Sequence, residues 1–534
     1  MNIFNSSFSY RRFDANNKHP RNGLESISKP INTMSNSTIR VRFAPSPTGY
    51  LHIGGLRTAL YNYLFAKKFG GDFLLRIEDT DQGRYVPEAE ADIITSLQWA
   101  GLSFDEGPGI GGDCAPYYQS QRSELYQKYA RQLIEAGQAY YAFDTEEEIE
   151  AMRHALTTPE NPQPKYDFST RIQMRNSLTM SPDEVQSRID AGEAYVIRLL
   201  VPENQDVTFH DAIRGEITFN TAQVDDQVLM KSDGLPTYHL ANVVDDYSMR
   251  ITHVIRGEEW LPSTPKHVLL YQCFGWQAPQ FAHLSLILSP NGGKLSKRNA
   301  DKMGIPVSVK DYITAGYEPE ALLNFLALLG WHPDGEHEIF SLSELVEAFS
   351  LDNMALSGAQ FSMDKLKWFN EHYIRAQSPE QIAAKALPFA PTYLAQTDVA
   401  YLTQVANLMR ERITFAEDIF RNAPYFFHDP EHFEEKPLKK GWKEASTDLL
   451  YDFADIIERL DDFSATHLHD AFNHFIEVNE VGMGALMLPC RLALTGLGGG
   501  PGLFEIMEVL GKETTLRRLR NAPDKINHQR LEAL

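Results

Sequence analysis

The chain has 534 residues, 43% apolar and 23% charged, with a formal net charge of -22. At ~100–200 residues per domain that length predicts about three to five domains, and no apolar run approaches the ~20 residues that would carry a helix across a bilayer. The acidity argues against indiscriminate adhesion to nucleic acid, and any binding to it must come from cations grouped on one face.

Residues 1–37 are rich in Asn and Ser, lack periodicity and carry five Lys/Arg against two acids. They read as a disordered N-terminal extension, or as sequence upstream of a start at Met34. A mitochondrial presequence is disfavoured because Asp14 and Glu25 interrupt the basic run. Ile39-Arg-Val-Arg-Phe43 alternates like a short strand, and Ala44-Pro-Ser-Pro-Thr-Gly49 breaks the chain into a loop. From His52 to Lys68, apolar residues recur at Leu56, Ala59, Leu60, Tyr63 and Leu64, which is helical spacing, and Gly70-Gly71 ends the helix. Asp72–Ile77 is the next strand. The opening is therefore β-loop-α-β, the unit of a parallel α/β sheet. Residues 119–237 mix helices with short β-like runs at Ala194–Val201 and Ile217–Asn220, and read as an insertion. The α/β character returns at Val228–Lys231 and Met249–Arg256. Past residue 310 the pattern is almost wholly helical, and its most apolar stretch, Ala321–Leu329, suits a buried helix.

Two segments carry chemistry. Pro45-Ser-Pro-Thr-Gly-Tyr-Leu-His-Ile-Gly-Gly55 places a Pro/Gly loop after a strand and His52 at a helix start. A helix N-terminus offers unpaired N–H groups and partial positive charge to phosphates. Gly54 and Gly55 let a nucleotide approach the backbone closely, and His52 can donate to phosphate oxygens as charge develops there. Far downstream, Lys294-Leu-Ser-Lys-Arg298 follows the glycine-bearing Ser289-Pro-Asn-Gly-Gly293. A loop with Lys294 and Lys297 can close over a triphosphate, since lysine is a compact point charge.

This pair of segments resembles the HIGH and KMSKS motifs of class I aminoacyl-tRNA synthetases. Arg42-Phe-Ala-Pro-Ser-Pro-Thr-Gly49, Arg76-Ile-Glu-Asp-Thr-Asp81, Tyr238-His-Leu-Ala-Asn-Val-Val-Asp-Asp246 and Val254-Ile-Arg-Gly-Glu-Glu-Trp260 are similar to strings of the bacterial-type glutamyl-tRNA synthetases. The likeness runs from about residue 38 to the C-terminus. Gly55 replaces the last His of the first motif, and Leu295 and Arg298 replace Met and Ser of the second, while both lysines remain. The resemblance implies an enzyme that activates L-glutamate with ATP and transfers it to the 3′ end of tRNA(Glu), with Mg2+ arriving on the nucleotide. It implies an α/β Rossmann-like catalytic domain with an inserted acceptor-binding domain, followed by an all-α anticodon-binding region. The expected order is a first Rossmann half at 38–118, the acceptor-binding insertion at 119–237, a second Rossmann half with the KLSKR loop at 238–299, a stem-contact domain at 300–376 and the anticodon-binding region at 377–534.

The resemblance places Arg42, Ser46, Glu78, Tyr238, Asn242 and Arg256 around the amino acid. Chemistry suggests that the two arginines take carboxylates, Glu78 faces the ammonium, and Tyr238 and Asn242 supply neutral hydrogen bonds. His52, Gly54, Gly55, Lys294 and Lys297 are expected at the nucleotide, with His52, Lys294 and Lys297 catalytic. Arg412 is expected at the third anticodon base. Lys436, Lys439, Lys440 and Lys443, and again Lys512, Arg517, Arg518 and Arg520, are candidate phosphate contacts. Asp79 and Asp81 are read as loop supports, so no protein metal site is expected. The only cysteines, Cys114, Cys273 and Cys490, have no zinc-ligand spacing, so no zinc is expected. The protein is expected to be a cytoplasmic monomer. A glutaminyl-tRNA synthetase, the nearest rival, would carry a β-barrel anticodon region where residues 377–534 read as helices.

Overall fold

A computed structural model describes residues 38–394 and 398–532. The expected N-terminal extension at 1–37 lies outside the described residues. The first strand, Arg40–Phe43, pairs in parallel with Asp72–Leu75, and the helix Ile53–Lys68 crosses between them. The helix forms because an extended Pro/Gly loop delivers the chain to an N-cap at His52, and because Leu56, Ala59, Leu60 and Leu64 share one face that is wholly buried. Its C-terminus is fixed by Gly70, whose φ of 63° suits glycine.

On the other side of the first strand lies His253–Gly257, tied by the Thr252 N–H to the Arg40 carbonyl at 2.9 Å. It pairs in parallel with Gln280–Leu284. The hairpin Asp206–Asp211/Gly215–Asn220 then docks through a parallel contact of Asp211 with Phe281. A hairpin from within the 119–237 stretch thus extends the parallel sheet. The rest of that stretch forms its own antiparallel sheet, with Val196–Leu199 between Ala139–Ala142 and Val228–Met230.

Residues beyond the KLSKR loop are helical apart from the two-residue strand Ala359–Gln360. The helix Pro319–Leu328 buries Ala321 to Ala327 and shares one hydrophobic core with the first helix. A second core spans Ile374 to Ile526 and contains no strand among the described residues. No helix among the described residues is long and apolar enough to cross a membrane.

Candidate active site

One cavity of about 520 Å³ opens above the C-terminal ends of the parallel strands, where α/β folds bind ligands. Arg42, Ser46, Glu78, Tyr238, Asn242 and Arg256 all line it, together with His52, Gly54 and Gly55. Arg42 and Arg256 come from strands, Tyr238 and Asn242 from the first turns of the helix Tyr238–Ser248, and Glu78 from just beyond Asp72–Leu75.

The two arginines stand in opposite electrostatic states. Arg42 donates side-on to Asp246, Nε to Oδ1 at 3.0 Å and Nη2 to Oδ2 at 3.2 Å. Asp246 also accepts from Arg76 Nη1 at 2.7 Å. Burial by itself would raise the Asp246 carboxyl, but Arg42 and Arg76 outweigh it and hold the group below the usual carboxylate range. Arg76 reaches on to Glu78 Oε1 at 3.1 Å. At Glu78 burial outweighs the attraction of Arg76 and Arg42, so the carboxyl is raised. A cation entering the cavity would relieve that cost. The Asn242 amide, oriented to satisfy both neighbours, donates to Asp246 Oδ2 and accepts from Arg76 Nη2, each at 3.2 Å.

Arg256 is only 5% exposed, yet no carboxylate among the described residues is within ion-pair distance of it. Its donors all meet neutral acceptors. Nε donates to His283 Nε2 at 3.1 Å, Nη1 to the Tyr238 hydroxyl at 3.0 Å and to His267 Nδ1 at 3.3 Å, and Nη2 to Thr264 Oγ1 at 2.9 Å and the Trp260 carbonyl at 3.5 Å. A buried guanidinium whose charge is left uncancelled suits an anionic ligand.

The nucleotide side is built around the first helix. His52 caps it, its Nδ1 accepting from the Gly54 N–H at 3.0 Å. The ring proton therefore sits on Nε2. Burial lowers the His52 pKa, and the charge of Lys294 lowers it further. A Cβ on Gly54 would stand 3.3 Å from His52 Nδ1, tighter than an ordinary contact. The preceding loop is pinned by Asp92, which accepts from the Leu51 N–H at 2.7 Å.

Lys294 of the KLSKR segment does not line this cavity but stands beside its wall. Ser289 to Gly293 form a tight turn, closed by the Ser289 N–H on the Gly293 carbonyl at 2.8 Å. Lys294 is exposed and lies 3.9 Å from Glu259, which lines the cavity. Lys297 begins the short helix Lys297–Asp301; its side chain lies outside the described residues. Asp79 accepts from the Ser120 N–H and hydroxyl at 2.8 and 2.6 Å, and Asp81 pairs with Arg84 at 2.6 Å. Both thus support loops. Among the described residues no group of three or more His, Cys, Asp or Glu is arranged to hold a metal.

Arg412 lies far along the chain, exposed at the end of the 3-10 turn Arg410–Arg412. In the second basic cluster only Arg518 is buried, while Arg517 stays exposed and Lys512 and Arg520 are half-buried. Arg517 and Arg518 both pair with Asp429, Arg520 with Asp455 and Glu458, and Lys512 donates to the Leu460 carbonyl. Acids brought in by folding pair the three arginines, whereas Lys436, Lys440 and Lys443 are exposed. Sequence reasoning assigned no role to Asp246, Arg76, His267, His283 or Glu259. Three of these stand inside quoted strings, which marked their neighbourhood but not their partners.

Residues 38–368 match the family model of class I tRNA synthetases (E and Q), catalytic domain, and residues 381–523 match an anticodon binding domain. The chain is 48% identical over 505 residues to a glutamate–tRNA ligase of Phocaeicola vulgatus, covering 92% of this chain and 99% of that protein. It is 48% identical over 509 residues to one from Chloroherpeton thalassium, covering 93% and 100%. Among solved structures, a glutamate tRNA ligase from Elizabethkingia meningosepticum, in complex with its amino acid, superposes with a TM-score of 0.85 at 45% identity over 92% of this chain and 99% of that one.

Proposed function

Because the chain belongs to the glutamate–tRNA ligase family of class I tRNA synthetases, we propose that it activates L-glutamate with ATP and esterifies it to tRNA(Glu). The observation that carries this reading is the single cavity in which a buried arginine without an acidic partner, a buried glutamate with a raised pKa and a helix-capping histidine face one another. Arg256 takes one carboxylate of the amino acid in exchange for its two longest contacts, those to His267 and the Trp260 carbonyl, the free end of the Arg42 fork takes the other, and Glu78 receives the ammonium. Ser46, Tyr238 and Asn242 complete the hydrogen bonding.

ATP enters with its Mg2+ as substrate, over Gly54 and Gly55. The glutamate α-carboxylate attacks the α-phosphorus and pyrophosphate leaves, giving glutamyl-adenylate. The terminal ribose hydroxyl of tRNA then attacks the mixed anhydride and AMP leaves. Positioning and charge stabilisation supply most of the acceleration in such displacements. His52 donates through Nε2 to phosphate oxygens, and Lys294 and Lys297 neutralise the triphosphate from the rim. The remaining assignments rest on the family: 38–118 and 238–299 as catalytic halves, 119–237 at the acceptor end, 300–376 on the stem, and 377–534 at the anticodon with Arg412 reading its third base. A monomer in a reducing cytoplasm fits three cysteines that are all free.

The test is pyrophosphate exchange and charging with purified tRNA(Glu). Glutamate-dependent exchange that requires the tRNA, with glutamate charged in preference to glutamine, is expected. Exchange driven by glutamine, or by no amino acid, overturns the reading.

A further inference from the structure

Behind Arg256, away from the cavity, lies a hydrogen-bonded chain that no feature of the nucleotide or amino-acid pocket requires. Asp211 ends the strand Asp206–Asp211, and His283 lies on the neighbouring strand Gln280–Leu284; both are fully buried and neither lines the cavity. Asp211 Oδ2 is 2.6 Å from His283 Nδ1, and His283 Nε2 is 3.1 Å from Arg256 Nε. Arginine can only donate, so the Nε2 facing it must present a lone pair. The His283 proton must then sit on Nδ1, where the Asp211 carboxylate accepts it. On the other flank the same logic fixes His267. Its Nδ1 accepts from Arg256, so its Nε2–H points to His239 Nδ1 at 3.1 Å. Burial and neighbouring cations keep these imidazoles neutral: His239 is pushed down to about 3 and His283 to about 4.

We propose that Arg256 takes the side-chain carboxylate of the amino acid and that Asp211 and His283 are its positioning residues, the dyad locking His283 in the Nδ1–H tautomer so that its Nε2 holds the Arg256 guanidinium at the cavity without neutralising it. The inference rests on the functional reading above. A carboxylate in direct contact would hold the arginine equally well but cancel the charge that selects glutamate over its uncharged amide. A neutral imidazole holds the geometry and leaves the charge for the ligand, while the acid that orients it stays one ring away. The placement also gives the hairpin that carries Asp211 a reason to join the parallel sheet.

The geometry makes Asp211→Asn an informative variant. Asp211 Oδ1 accepts the Ile213 and Arg214 N–H groups, both at 3.0 Å. The amide oxygen will stay there, so the amide nitrogen will take the Oδ2 place, donating to His283 Nδ1 and withdrawing the acceptor that the His283 backbone N–H has at 3.1 Å. That inverts the imidazole: its Nε2–H opposes the Arg256 Nε–H at 3.1 Å and turns to Thr264 Oγ1, also 3.1 Å away, so the guanidinium loses its acceptor. Opposed donors in a buried site predict about a tenfold or greater rise in the KM for glutamate. The KM for ATP should stay within about twofold, and the preference for glutamate over glutamine should fall in step with the glutamate KM. A merely structural role would lower kcat and thermal stability without this split. Nitrogen-15 spectra of histidine-labelled protein, with His283 assigned by difference against His283→Gln, should place the ring proton on Nδ1 in the unsubstituted enzyme. A ring proton on Nε2 there overturns the proposal whether or not the Asn variant folds. So does a folded Asp211→Asn enzyme with unchanged glutamate KM and preference. Absence of glutamate-dependent exchange in the unsubstituted enzyme would instead count against the functional reading itself.

Discussion

Replacing Arg256 and Arg76 in turn by methionine should separate binding from stability, because the two guanidinia are equally hidden but differently paired. Arg76 is fully buried among Asp246 at 2.7 Å, Glu78 at 3.1 Å and Asp245 at 3.8 Å. Removing it strands buried carboxylates, which costs about 3–5 kcal/mol. Among the described residues Arg256 has no acidic partner, so its removal orphans only neutral acceptors while relieving the desolvation of an unpaired cation. Those contributions oppose each other, and the net change should be within about 1 kcal/mol of zero. A gap of ~3 kcal/mol corresponds to roughly 4 °C in unfolding temperature for a catalytic domain spanning residues 38–368. Function should reverse the order of the two losses. Two charge-assisted hydrogen bonds to the amino-acid carboxylate are worth about 3–6 kcal/mol, so Arg256→Met should lower kcat/KM for glutamate by roughly 10²–10⁴-fold. Differential scanning of the thermal unfolding, beside pyrophosphate exchange over a glutamate titration, reads both quantities. Arg256→Met unfolding as early as Arg76→Met would refute the unpaired-charge argument, as would an Arg256→Met enzyme with unchanged glutamate kinetics.

Other substitutions and conditions probe the remaining parts of the site. Lys297→Ala should slow adenylate formation by on the order of 10²-fold while changing glutamate affinity little, since its proposed partner is the phosphate chain; equal losses in both, measured by single-turnover kinetics and equilibrium binding, would count against that role. Gly54→Ala should weaken ATP use about tenfold, because the added methyl crowds His52 out of its capping position, and an unchanged ATP KM would speak against it. His239, His253 and His283 are held neutral with pKa values near 3, 4 and 4, against 6.5 for the exposed ring. Below pH 6.5 the unfolded chain binds more protons than the folded one, so stability is full above that pH and falls as the pH drops towards 4, by up to about 1.4 kcal/mol per pH unit for each ring. Urea midpoints that stay level from pH 7 to pH 5 would contradict this. Arg412→Ala should relax discrimination between tRNA(Glu) and tRNA(Gln) in charging assays and, because the side chain is exposed, leave the unfolding temperature nearly unchanged.

The amino-acid sequence by itself determined what depends on neighbours along the chain. Proline and glycine after an alternating run specify strand, loop and helix. His52 reads as a helix start, and the structure makes it the N-cap. The apolar period of Ala321–Leu329 reads as a buried helix and forms one at Pro319–Leu328. The electrostatic state of each charged group, by contrast, came only with folding, because it is set by partners from distant segments. Arg42 and Arg256 looked alike in sequence, yet folding brings Asp246 onto the first and only neutral rings, hydroxyls and a carbonyl onto the second. The same physics pairs Arg517, Arg518 and Arg520 with acids from distant segments and buries the second of them. Coulomb interaction acts through space and burial multiplies it, so neither can be read from spacing along the chain.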